Sequence, residues 1–348
     1  MRWLAALAVV CACGSDRGPA PAPPAAPQLD VTVDRRVELM SIVFRLAGRP
    51  RYTEATSAYA KAVDAHFAPY LQHDAVVFTK QLGERYGIGY DMAPSLAVHL
   101  DDALQPRASL SPLPTQLERW KVVKLDKYLA AVRDFATTAK LDEFLASQRT
   151  SLDGVVAADR TFLAKEPFVA WFDRVLGPRP KTHYHFVAGM LSGPMAFAAR
   201  VDLPDGGQDV YVVADLGEPP RDSYVPFIVH ELCHSYTNPI VDAAMAELAP
   251  VAAPVIAPVA ERMKQQAYTT DAIVIEESVV RAIVVLWTRE RQGAAAGDAE
   301  IAKQEQLGFA WTRALADALA AARGNGTLSA AAITKATRET FARYGRGP

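Results

Sequence analysis

Val229-His230-Glu231-Leu232-Cys233-His234-Ser235-Tyr236 is the stretch from which the rest of the chain is best read. On a helix, His230 and His234 lie one turn apart on the same face, so both imidazoles reach a single metal ion. Glu231 is offset by about 100° and sits beside that ion as a proton acceptor rather than a ligand. An accidental pair of histidines on a solvated helix would have charged neighbours. Here Pro226-Phe227-Ile228-Val229 leads in, and Leu232 and Cys233 fill the variable positions. Two histidines and a glutamate in so apolar a helix are costly to bury unless something pairs them. Pro226 suits a first helical turn capped by Asp222 or Ser223, and Pro239 should end the helix. The spacing predicts a catalytic zinc site in which Glu231 handles the proton of a zinc-activated water.

A catalytic zinc needs a third protein ligand. The chain has 7 His and none follows His234. Thr237 and Ile240 occupy the places where a metzincin would carry Gly and His, which excludes that class. The segment from Asp271 to Trp287 is apolar almost all round and predicts a buried helix, with Glu276, Glu277, Ser278 and Arg281 as its polar exceptions. A carboxylate inside such a helix needs a cation, either a metal or an arginine. Glu277 and Arg281 are spaced i,i+4, so Arg281 can steady Glu277 from behind while Glu277 ligates the metal. Glu277 is therefore the preferred third ligand, with Glu276, Glu247 and Asp242 as alternatives and a metal-free Glu–Arg pair as the competing reading. His183 and His185 alternate within an expected strand, as upstream ligands or substrate contacts. Tyr184, His185 and Tyr236 are the candidates for stabilising an oxyanion.

An H-E-x-x-H helix followed by a glutamate on the next long helix resembles the gluzincin branch of zinc metallopeptidases. The wider wording, His230-Glu231-Leu232-Cys233-His234-Ser235-Tyr236-Thr237-Asn238-Pro239 and later Glu277-Ser278-Val279-Val280-Arg281-Ala282, is similar to an uncharacterised bacterial family of zincin-like domains of unknown function. That resemblance implies Glu277 as third ligand and a zincin-like core. It extends upstream to Val37-Glu38-Leu39, Leu46-Ala47-Gly48 and Phe67-Ala68-Pro69-Tyr70, and implies no substrate.

The chain starts with Met1-Arg2 and a short apolar run from Trp3 to Val10, too brief to span a bilayer but adequate for export. Val10-Cys11-Ala12-Cys13-Gly14 resembles a bacterial lipobox. Residues 1–12 then form a lipoprotein signal peptide, Cys13 is lipidated, and the Pro/Ala-rich residues 13–29 tether the folded part to a membrane. The expected location is the cell envelope, at the periplasmic face or the outer membrane. With Cys11 removed and Cys13 acylated, Cys233 has no disulfide partner and reads as a packed helix residue.

The 348 residues carry a net charge of -2 and are 50 % hydrophobic, which argues against disorder and against a nucleic-acid partner. Residues 30–178 read as helical, with Tyr59, Val63 and Phe67 forming a core stripe. Tyr90, Asp91 and His99 lie near a break and are possible cleft residues. Residues 179–345 begin with three short strands, Thr182 to Val187, Met195 to Val201 and Asp209 to Ala214, around the strong turn Pro204-Asp205-Gly206-Gly207. The expected fold class is α+β and predominantly helical, with a small, mostly antiparallel sheet packed on the motif helix. The stretch from Gly193 to Phe197 is the expected edge for pairing with an extended peptide substrate. The function read from these features is zinc-dependent hydrolysis of peptide bonds in a peptide or protein substrate. A non-catalytic envelope lipoprotein with a structural or vestigial metal site is the competing reading.

Overall fold

The computed structural model of the chain describes residues 29–345, apart from 109, 111, 194–195, 218–220 and 325. The expected signal segment, Cys13 and nearly all of the tether lie outside these residues. The protein is predominantly helical with one small mixed sheet. A strand β1 (Asp30–Thr32) leads into helices α1 (Arg35–Leu46), α2 (Ala58–Phe67), α3 (Asp74–Tyr86), α4 (Met92–Val98), α5 (Leu125–Thr138), α6 (Leu141–Leu163) and α7 (Phe168–Leu176). Strands β2 (Thr182–Ala188), β3 (Ala196–Asp202) and β4 (Gln208–Ala214) follow. The chain then continues through α8 (Val225–Ala243), α9 (Met245–Ile256), α10 (Ala260–Gln265), α11 (Asp271–Gln292), α12 (Ala294–Leu307), α13 (Thr312–Arg323) and α14 (Ala330–Tyr344).

The strand order is β1-β2-β4-β3. The expectation of a mostly antiparallel sheet is corrected here, because β1 runs parallel to β2, β2 runs parallel to β4, and only β3 and β4 are antiparallel. The cause lies in two connections. The Pro204–Gly207 turn folds β4 back along β3, with the Gly207 amide donating to Asp205 at 3.0 Å and Gly206 at φ 79°. The segment between β2 and β3 is long enough to leave a slot between them, which β4 fills. β3 is thus an edge strand, as expected; of the proposed edge segment, Pro194 and Met195 lie outside the described residues.

The sheet divides two apolar cores by simple alternation. Tyr184, Phe186, Val210, Val212 and Ala214 face a core built with α7, α8, α9, α11, α13 and α14. Val187, Phe197, Ala199, Val201, Tyr211 and Val213 face a core built with α1 to α6. The N-terminal helices and the motif helix therefore lie on opposite faces of one sheet. β1 and α7 side with the C-terminal layer, so the sheet ties residues on both sides of position 178 together.

Two local expectations change. α8 is preceded by a 3-10 turn, Asp222–Tyr224, and Tyr224 rather than Asp222 or Ser223 occupies the cap. Pro239 does not end α8, which runs on to Ala243. Among the described residues no single helix is long and apolar enough to cross a membrane.

One buried acid in the N-terminal layer sets a pH dependence. Glu38 on α1 is fully buried and accepts a 2.6 Å hydrogen bond from Tyr59. Burial pushes its carboxyl up to about 7, against the pull of Tyr59 and the Met190 backbone. The folded protein then keeps this proton up to about pH 7, whereas the unfolded chain releases it near the ordinary glutamate value. Stability from this group is complete below about pH 4.5 and is lost as pH rises towards 7, by about 3 kcal/mol. In Glu38→Gln that loss should vanish. Denaturant titrations at pH 5 and pH 8 should show the parent losing about that much more stability than the variant. Parallel losses in the two proteins would remove Glu38 as the cause.

Candidate metal centre

Helix α8 buries Ile228, Val229, Leu232, Cys233 and Tyr236 against the sheet and its neighbouring helices. Its opposite stripe carries Phe227, His230, Glu231, His234 and Asn238, all half-buried or exposed. The steps of three and four between them place these side chains on one face. Helix α11 packs on α8 and brings in Glu277, which is 6 % exposed. His230 Nε2 lies 3.3 Å from Glu277 Oε2, and His234 Nε2 lies 3.4 Å from Glu277 Oε1. The two Nε2 atoms are 3.2 Å apart.

The two nitrogens and the Glu277 carboxylate form a compact triangle of groups, in which each imidazole faces a different oxygen of the carboxylate. A tetrahedral zinc with ligands at roughly 2.1 Å requires ligand–ligand edges of roughly 3.4 Å, and one ligand atom from each of the three residues lies within 4.8 Å of the others, close enough to share such an ion. The chemistry of the donor set agrees. Burial alone would raise the Glu277 carboxyl, yet the two imidazoles hold it well below the usual range. Burial pushes His230 down to about 4. Burial pulls His234 down too, but Glu277 outweighs it and lifts this imidazole to about 9. A buried carboxylate facing two imidazoles is satisfied only by positive charge, a shared proton or a metal cation.

The supports behind the trio are specific. Arg281 Nη2 donates to Glu277 Oε2 at 3.0 Å and to the Tyr268 hydroxyl at 2.7 Å, and its Nη1 donates to Gln304. The Arg281 guanidinium also lies 4.3 Å from the centre of the Phe309 ring. Arg281 thus stands where the i,i+4 spacing put it. His234 Nδ1 lies 3.1 Å from Asn238 Oδ1, and the Asn238 amide donates to Glu276 at 3.0 Å. That leaves Nε2 of His234 free for a metal. The alternative ligands point elsewhere. Glu276, raised to about 7 by burial and then by Asp242, faces Asn238 and Asp242. Glu247 pairs with Arg338 at 3.4 Å.

Glu231 makes no hydrogen bond to the trio. Burial raises its carboxyl to about 7; the charge of His234 opposes this, Glu277 and Asp91 add to it, and the Ala198 backbone pulls it down. The Ala198 contact places the edge strand β3 beside Glu231, and Asp91 of the N-terminal layer is near enough for its charge to act on the same carboxyl. Asp91 itself pairs with Arg119. His99 is buried and bonded to the Ser95 carbonyl, away from any cleft role.

The structure does not bring the three expected oxyanion residues to the trio. Tyr184 donates to Tyr236 at 2.6 Å, and Tyr236 donates to Asp173 at 3.0 Å, within the apolar packing of α7 and β2. Tyr236 follows His234 by two residues, about 200° around the helix, so it faces the sheet. His185 lies on the other face of the sheet, stacked on Tyr211 at 4.5 Å with Asp30 and Asp209 nearby. His183 shares that face and lies 3.1 Å from Asp209. Tyr268, which the sequence reading missed, is the tyrosine tied to the trio through Arg281. Asn238 was also missed, although its i+4 spacing from His234 is visible in the sequence. Cys233 is buried among apolar neighbours, and burial pushes its thiol up.

Residues 29–326 match the model of a family described as a domain of unknown function, DUF4932. No curated protein and no solved structure matches the chain.

Proposed function

Because the chain belongs to the DUF4932 family, whose description assigns no function, its activity has to be read from its own residues, and we propose that it is a zinc-dependent hydrolase of peptide bonds, of gluzincin type. The observation that carries this reading is the 3.2–3.4 Å triangle of His230, His234 and Glu277 with Glu231 on the same helix face. A purely structural metal site has no use for a carboxyl one residue from a ligand. When bound, zinc supplies a Lewis acid and lowers the pKa of a coordinated water.

The chain's residues do the rest. Arg281 and Asn238 fix the ligand orientations, Asn238 by holding the proton of His234 on Nδ1. Glu231 takes a proton at its carboxylate and delivers it to the leaving amine. The free edge of β3, beside Glu231, offers main-chain hydrogen bonds to an extended peptide. The Tyr268 hydroxyl is linked to the Glu277 side of the centre through Arg281. Lipidation at Cys13 would hold this activity at a membrane of the cell envelope.

The test is metal content and hydrolysis of residues 29–348 purified without chelator. We expect about one zinc per chain, and release of new amines from unfolded casein that stops with chelator and returns with zinc. Casein left intact by the zinc-loaded protein would overturn the peptidase reading while leaving a metal-binding protein.

A further inference from the structure

Phe227 stands at the N-terminal end of the open stripe of α8, one turn before His230 and Glu231, and is 46 % exposed. The Nζ of Lys303 on α12 lies 4.9 Å from the centre of its ring. A chain of contacts links the residue next to Lys303 to the centre. Its neighbour Gln304 accepts from Arg281, which in turn donates to Glu277. The acid nearest to this ammonium is Glu300, at 3.7 Å, beyond hydrogen-bond distance and itself accepting from Gln304. The Lys303 side chain is 48 % exposed, so its charge is open to solvent. An exposed aromatic ring and a half-exposed cation, paired with Glu300 at 3.7 Å, therefore lie about 5 Å apart at the start of the stripe that carries His230, Glu231 and His234.

We infer that Phe227 and Lys303 form a subsite for the C-terminal residue of a peptide, with Phe227 taking an apolar side chain and Lys303 the free carboxylate. An apolar side chain and a carboxylate carried on one Cα are separated by a few ångströms, which matches this pair. The ammonium disfavours a basic side chain at the same place. A hydrolase with this subsite releases residues from the C-terminal end of an accessible chain, unfolded casein included. Its catalytic meaning rests on the hydrolase reading above, whereas the binding itself does not.

The experiment measures binding to the Glu231→Gln protein with zinc added, so that turnover does not consume the probe. The probes are an acetylated pentapeptide ending in phenylalanine, its C-terminal amide, and the acid ending in alanine. The phenylalanine acid should bind about tenfold more tightly than its amide, as a charge-assisted contact requires. Lys303→Gln should bring the acid down to the amide while keeping the preference for phenylalanine over alanine. Phe227→Ala should erase that preference and keep the preference for the acid. Equal binding of acid and amide, no binding of either, or discrimination that survives Lys303→Gln overturns the subsite. The two failures separate, since a wrong subsite leaves casein hydrolysis by the parent intact, and a wrong hydrolase reading leaves the discrimination intact.

Discussion

Glu277→Ala should empty the centre of zinc and, in the zinc-free protein, cost about 3–5 kcal/mol of folding stability. Both effects follow from the double role of this carboxylate. It supplies two edges of the ligand triangle and the only negative charge among the three ligands. Its loss should lower zinc affinity by about a hundredfold or more. Glu277 is also the only carboxylate paired with Arg281 among the described residues. Arg281 is 7 % exposed, and without Glu277 its guanidinium keeps only the neutral Tyr268 and Gln304 as acceptors. An uncompensated buried charge of this kind is among the most destabilising products of a single substitution.

The double variant Glu277→Ala, Arg281→Met separates the roles. It should regain most of the lost stability, because the orphaned charge is gone, yet remain without zinc. Metal analysis and denaturant titration in chelator read the two quantities independently. If Glu277→Ala still binds one zinc per chain, the trio is not the ligand set, and Glu276 on the same helix becomes the next residue to test.

The clustering of His230, His234 and Glu277 was legible because each of its parts is fixed locally. The i,i+4 histidines share a face on any helix, and a carboxylate inside an apolar helix demands a cation wherever that helix packs. What the sequence could not show is how Arg281 and Asn238 divide the second layer between Glu277 and His234. The error over Tyr236 was avoidable, since two residues beyond His234 is the far side of the helix. The error over His185 was not. Alternation puts His183 and His185 on one face and Tyr184 on the other, but only the docking of α8 decides which face meets the centre. β1 was invisible because three residues, Asp30–Thr32, carry no period of their own and become a strand only by pairing with β2. The parallel pairing of β2 with β4 likewise depends on a non-local insertion. Tyr268 comes from the link between α10 and α11 and reaches the centre only through Arg281, so no spacing announces it.

Glu231→Gln should lower peptide hydrolysis by a factor of about 100 to 10,000 and leave zinc content unchanged. The substitution keeps the size of the side chain and its place near Ala198, so it removes one property, the capacity to accept a proton. Nothing in the ligand triangle depends on Glu231, because its carboxyl makes no hydrogen bond to His230, His234 or Glu277. In the zinc-free protein burial lifts the carboxyl to about 7, against the charge of His234 and the Ala198 backbone. Its position one residue from His230 brings it beside the ligands without competing for the metal. The decisive comparison is therefore with Glu277→Ala, since both variants should be inactive but only Glu231→Gln should retain zinc. Hydrolysis within threefold of the parent in Glu231→Gln would move the base elsewhere, with Asp91, the carboxylate besides Glu277 whose charge acts on this position, as the next to test.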